Sequence, residues 1–132
     1  MRNLAMLFRG LADETRLAMM GMLLHRTELC VCDFVEVLGV TQSKASRHVR
    51  YLLHAGLLDD RREGIWVHYR VSRGLDAEGR LVARTLRRLL GGDRMGDVEK
   101  RLAAWLKRKP RLGCVAPRTT CRLRSEGRRG GR

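Results

Sequence analysis

Apolar residues recur along the first half of the chain with a helical period, and the period stops where residues that end or begin helices stand. Leu4, Leu7 and Phe8 share a face over residues 2–10, and Gly10 closes that stretch. Asp13 has the chemistry of an N-cap for a second helix running to about His25, with Leu17, Met20 and Leu24 as its apolar stripe. Phe34, Val35 and Leu38 form the buried side of a third helix from Val31 to Leu38, which Gly39 can end in the left-handed conformation. Thr41 then caps a helix from Gln42 to His54, where Ala45, Val49, Leu52 and Leu53 recur at i, i+4, i+7 and i+8 and turn to the core. Its other side carries Gln42, Ser43, Lys44, Ser46, Arg47, His48 and Arg50. A short helix, a tight turn and a helix with a polar outer face is the sequence form of a helix-turn-helix.

After Gly56 the period changes to alternation. Leu57 to Arg61 and Ile65 to Val71 predict two strands joined by Arg62-Glu63-Gly64, with Gly64 supplying the positive φ of a hairpin turn. Trp66, His68 and Arg70 point one way, Val67, Tyr69 and Val71 the other. A hairpin directly behind a helix-turn-helix is a wing, which puts Arg61 and Arg62 at a tip within reach of phosphates or a minor groove. Helical spacing returns over residues 76–90 with Val82, Leu86, Leu89 and Leu90 on one side; Gly91-Gly92 breaks it, and a further amphipathic helix carries Val98, Leu102, Trp105 and Leu106. So much apolar surface on peripheral helices predicts burial across a two-fold axis, which also offers DNA two half-sites. The expected fold is therefore mainly α with a two-stranded β wing, a dimeric winged helix-turn-helix. Residues 1–91 form its DNA-binding and dimerisation domain, 92–110 an additional helix, and 111–132 a basic flexible tail poor in apolar residues.

Charge sharpens this picture. Of the formal +14, residues 1–60 contribute nothing, with seven basic and seven acidic groups, while residues 61–132 hold 21 Lys and Arg against seven Asp and Glu. Most of the excess lies after the reading helix, where it supplies sequence-independent phosphate attraction rather than specificity. Aromatic residues make up only 5%, so base stacking on a single-strand platform is not the expected readout. No apolar stretch approaches the roughly 20 residues that span a bilayer, and the N-terminus lacks the pattern of a signal peptide, so a cytoplasmic protein with no membrane partner is expected. His25, His48, His54 and His68 are scattered over different elements, and there is no nucleophile–histidine arrangement, Gly-rich phosphate loop or paired-carboxylate motif. No enzyme is expected.

The remaining chemistry is in the cysteines, four in number and expected to be reduced in such a compartment. Cys30 and Cys32 stand where the helix-turn-helix begins. Two apart on an ideal helix, they would point about 200° away from each other, so a single ion holding both would have to open the helix start. A thiolate pair selects soft, thiophilic ions.

Leu11-Ala12-Asp13-Glu14-Thr15-Arg16-Leu17, Glu28-Leu29-Cys30-Val31-Cys32-Asp33, Ser46-Arg47-His48 and Trp66-Val67-His68-Tyr69-Arg70 together closely resemble the arsenic-responsive branch of the ArsR/SmtB repressors, over about residues 3–72. The resemblance implies a homodimer bound to double-stranded operator DNA when ligand-free. On binding trivalent arsenic or antimony, As(III) or Sb(III), it would leave DNA and release an arsenical-resistance operon. It maps the sensing thiols onto Cys30 and Cys32 and the reading helix onto Gln42 to His54. One departure stands out: Val35 occupies the place of a third cysteine. Cys114 or Cys121, from the same or the partner subunit, is then the expected third thiolate; a two-thiolate site completed by water or suited to a monosubstituted arsenical is the rival. A cadmium or lead sensor on the same fold is weakened, since no cysteine precedes Cys30. Outside the family, the competing readings are a basic nucleic-acid-coating protein and a small thiol oxidoreductase, the latter opposed by the absence of a βαβ pattern.

Overall fold

The computed structural model describes residues 1–109, so the expected tail, with Cys114 and Cys121, lies outside the described residues. Helices α1 (Arg2–Leu11), α2 (Glu14–Leu24), α3 (Val31–Leu38) and α4 (Gln42–His54) come first, then strands β1 (Leu58–Glu63) and β2 (Trp66–Val71). Helix α5 (Ala77–Leu89), one 3-10 turn (Gly92–Met95) and α6 (Gly96–Arg108) follow.

The starts and stops have local causes. Asp13 accepts the Arg16 N–H at 3.0 Å to open α2, Thr41 accepts the Lys44 N–H at 3.2 Å to open α4, and Asp76 accepts the Gly79 N–H at 2.8 Å to open α5. Gly39 ends α3 at φ 66°, a left-handed conformation in which a Cβ would be strained, and so lets the chain turn within three residues into α4.

Helix α2 is central. Met19, Met20 and Met22 are wholly buried and Leu23 nearly so, whereas Leu17, expected in its apolar stripe, is only half-buried. A single stripe does not describe this helix because α1, α3, α4, α5, α6 and β2 all pack around it, and unbranched Met side chains fill the uneven gaps between them. Phe34 of α3, Leu52 of α4, Leu57 and Leu102 of α6 are wholly buried in the same core.

Two expectations are corrected. The hairpin pairs Leu58 with Val71 through Glu63 with Trp66, so Arg61 and Arg62 lie within β1, and the turn is Gly64-Ile65 with Gly64 at φ 60°. Arg62 and Glu63 have no turn preference to oppose continued pairing with Val67 and Trp66. On α5 the buried positions are Gly79, Ala83 and Leu86, with Leu90 just beyond, while Leu89 is 55% exposed. Small residues set the inward face there, and a pattern read from large apolar residues misplaces it by part of a turn.

Truncating Phe34, which touches the core from the helix that begins at the thiols, should cost about 3–5 kcal/mol. Urea unfolding of Phe34→Ala under reducing conditions measures this.

Candidate thiol site and nucleic-acid interface

The two cysteines sit where three elements meet, Cys30 as a free thiol and Cys32 disulfide-bonded. Leu29 exchanges two backbone hydrogen bonds with Tyr69, at 3.0 and 2.7 Å, which lays the segment before α3 alongside β2 as a one-residue third strand. Cys30 is consequently extended (φ −101°, ψ 170°) and forms the N-cap of α3. Its N–H is accepted by the Asp33 carboxylate at 2.7 Å, and its sulfur faces the backbone N–H groups at the helix start, closing a capping box.

This corrects the helical geometry expected for the pair. Because Cys30 lies outside the helix and Cys32 inside its first turn, the donor atoms of Cys30, Cys32 and Asp33 all lie within 4.8 Å of one another. No opening of the helix is needed to bring the sulfurs together. Trp66 of β2 covers both.

Asp33 is wholly buried, yet its carboxylate is well supplied with donors. Besides the Cys30 N–H, it accepts Trp105 Nε1–H at 2.8 Å and the Lys109 ammonium at 2.8 Å. That ammonium also reaches Cys30 Sγ at 3.5 Å. Burial pushes the Cys30 thiol up and the Asp33 charge adds to this, while Lys109 and the helix N–H groups pull it down. Burial works against the charge of Lys109, but Asp33 and then Cys30 hold it above its ordinary value. The hydrophobic and cysteine patterns do not single out Asp33, Trp105 or Lys109 as site residues. Only Asp33 had a local signal, as the acid three residues after an N-cap.

The polar face of α4 is presented as the periodicity predicts: Ser43, Lys44, Arg47 and Arg50 are exposed, and Gln42 and Ser46 half-buried. His48 differs, for its Nδ1 lies 3.1 Å from Arg16 and 3.9 Å from Asp13, drawn towards α2. Arg16 in turn donates to the carbonyls of Gly10 at 2.5 Å and Arg9 at 3.1 Å and lies over the Tyr51 ring at 4.6 Å, tying α1, α2 and α4 together. On the wing, Arg61 makes a two-pronged pair with Glu28 at 2.8 and 3.0 Å and reaches Glu63 at 3.2 Å, which holds the Glu28 carboxyl below its usual range. Arg62 is exposed.

Six helices, an antiparallel hairpin and a basic helix following a tight turn define a winged helix-turn-helix regulator of the DNA-binding kind. Residues 13–60 match the model of the bacterial regulatory protein, arsR family, so this stretch is an ArsR-family helix-turn-helix domain. The arsenical resistance operon repressor of Escherichia coli is 51% identical over 71 residues, 54% of this chain and 61% of that protein. The arsenical resistance operon repressor of Bacillus subtilis is 45% identical over 62 residues, 47% of this chain and 59% of that protein. The chain thus spans about three-fifths of the length of these relatives. Among solved structures, HlyU from Vibrio cholerae superposes with a TM-score of 0.58 at 32% identity, covering 67% of this chain and 91% of that one. Family and relatives alike are regulators rather than enzymes. Among the described residues, no helix is long and apolar enough to cross a membrane.

Burial, reinforced by Arg16, Lys44 and Arg47 and opposed by Asp13, holds the His48 imidazole below its ordinary 6.5. The unfolded chain therefore binds that proton more readily, and the stability His48 contributes is complete above about pH 6.5 and lost as the pH falls below it. Urea midpoints taken at about pH 7.5 and about pH 5.5 should drop more for the natural chain than for His48→Gln.

Proposed function

We propose that this protein is a metalloid-responsive transcriptional repressor. It binds operator DNA as a homodimer, dissociates when trivalent arsenic or antimony is bound, and so derepresses an arsenical-resistance operon. The observation that carries the reading is the convergence of the Cys30 and Cys32 sulfurs at the first turn of the helix-turn-helix. In the reduced chain two thiolates are a soft donor set suited to a trivalent metalloid, and their place at the start of α3 puts ligation next to the element that positions α4. The relatives named for arsenical resistance support the same ligand.

The dimer is favoured by apolar side chains left outside the core: Phe8 on α1 is 58% exposed, and Leu81 and Leu89 on α5 are 64% and 55% exposed. In operator binding Gln42 and Arg47 read base edges from α4, with Ser43, Ser46 and Arg50 beside them, while Lys44 and Arg62 engage phosphate. Arg61 and His48, being paired within the chain, serve mainly to hold the wing and reading helix in place. A third thiolate for the metalloid comes from Cys114 or Cys121.

Fluorescence anisotropy of the reduced protein on its promoter DNA and on a scrambled duplex, with arsenite titrated into each, tests the function. Specific binding released by arsenite is expected; binding blind to both sequence and arsenite would instead identify a basic coating protein. Cys30→Ser should keep operator binding and lose the arsenite response. Arg47→Ala should relax operator preference by about 1–3 kcal/mol, whereas Arg62→Ala should weaken all duplexes alike. Unchanged arsenite affinity in a Cys114→Ser, Cys121→Ser double variant would remove the tail from the site.

A further inference from the structure

Cys30 and Cys32 hold their sulfurs within 4.8 Å of one another, and each residue is only 4% exposed. They are nevertheless not bonded to each other. Cys30 is free, while Cys32 is disulfide-bonded to a partner outside the described residues. The chain has four cysteines, and the other two, Cys114 and Cys121, both lie beyond residue 109. The fold gives the two neighbours different duties. Cys30 is the extended N-cap of α3, its sulfur engaged by the N–H groups of the first turn and by the Lys109 ammonium at 3.5 Å. Cys32, inside that turn, has its sulfur committed to the disulfide.

We propose that Cys32 is an oxidative modification site: a peroxide couples it to a tail cysteine, and the disulfide blinds the site to the metalloid while the DNA-reading face stays built. This rests on the metalloid reading given above and adds its regulation. In a reducing compartment a disulfide of this kind is a transient, sensing bond rather than a structural one. The tail supplies the reactive thiol, since cations favour the thiolate and Arg122 directly follows Cys121 in sequence. The tail thiolate attacks the peroxide; an S–O bond forms, the O–O bond breaks, and the departing oxygen leaves as water or an alcohol. Cys32 Sγ then attacks the sulfenic sulfur, an S–S bond forms, the S–O bond breaks, and the hydroxide takes the Cys32 proton as water. The two thiols lose two electrons, and the peroxide takes them.

The two consequences follow from what the disulfide removes and what it leaves. Of the two sulfurs that converge in the fold, only Cys30 remains a thiol. A metalloid held there loses the second S–As bond and with it the effective concentration that chelation supplies, a factor of roughly 10²–10⁴. The reading face, by contrast, is complete with Cys32 in its disulfide. Helix α3 keeps its capping box, Gly39 keeps its left-handed turn at φ 66°, Thr41 caps α4, and Lys44, Arg47 and Arg50 are exposed. Ligand and oxidant therefore act in opposite senses. The metalloid releases DNA, and the disulfide keeps the repressor on DNA even when the metalloid is present.

The experiment compares two states of the full-length natural chain, with no substitution. One is reduced with a phosphine and desalted; the other is then treated with an equimolar amount of hydrogen peroxide. Bonds are mapped by alkylation and peptide mass spectrometry, arsenite affinity is measured by equilibrium dialysis, and operator binding by anisotropy at fixed salt. Peroxide should join Cys32 to Cys114 or Cys121 and leave Cys30 a thiol. Arsenite affinity should then fall by about a hundredfold or more, operator affinity should be nearly unchanged, and phosphine should restore the arsenite response. Four outcomes overturn the proposal and leave the metalloid reading intact: Cys32 left reduced by peroxide, a disulfide between Cys30 and Cys32, an oxidised chain that binds arsenite as tightly as the reduced one, or an oxidised chain that leaves the operator without arsenite. Failure of the reduced chain to bind arsenite at all would overturn that reading, and the proposal with it.

Discussion

The buried carboxylate of Asp33 holds the start of α3 to the end of α6, and the site depends on it. A carboxylate removed from water costs several kcal/mol unless charge and hydrogen bonds replace the solvent. Here the replacement comes from three places: the Cys30 N–H, the Trp105 indole and the Lys109 ammonium. The first contact fixes Cys30 as an extended N-cap; the other two bring α6 across the thiols. The convergence of the sulfurs is therefore a property of the folded core and not of a local dipeptide.

Where residues announce their own conformation, the sequence was legible. Val31–Leu38 and Gln42–His54 are bounded by Gly39, which favours positive φ, and by Thr41, whose hydroxyl caps, and these helices fall where the pattern puts them. Where the deciding force was tertiary, it was not. The inward face of α5 is set by Gly79 and Ala83, whose small size permits close approach but contributes little to a hydrophobic pattern. Spacing alone puts the two cysteines on one helix, because Cys is a weak N-cap signal; the Leu29–Tyr69 pairing that makes Cys30 one comes from forty residues away. Trp105 and Lys109 carried no local sign, being separated from Asp33 by 72 and 76 residues.

The charge distribution can now be divided by use. Arg16 and Arg61 look, in composition, like two more cations for a polyanion. In the fold, Arg16 braces three helices through Gly10, Arg9 and Tyr51, and Arg61 is matched by Glu28 and Glu63. Lys44, Arg47, Arg50 and Arg62 remain turned outward. The face of this domain is thus shaped as much by which cations are neutralised internally as by how many there are.

The long reach of Lys109 back to Asp33 also sets an order of events during synthesis. A chain made from its N-terminus at several residues per second presents α1 to α4 and the wing well before residue 109 emerges. Until then Asp33 lacks its ammonium and its indole partner, and burying its carboxylate carries an uncompensated cost. The turn at Cys30–Asp33 is translated well before Trp105 and Lys109, and is among the last of the described parts to be finished.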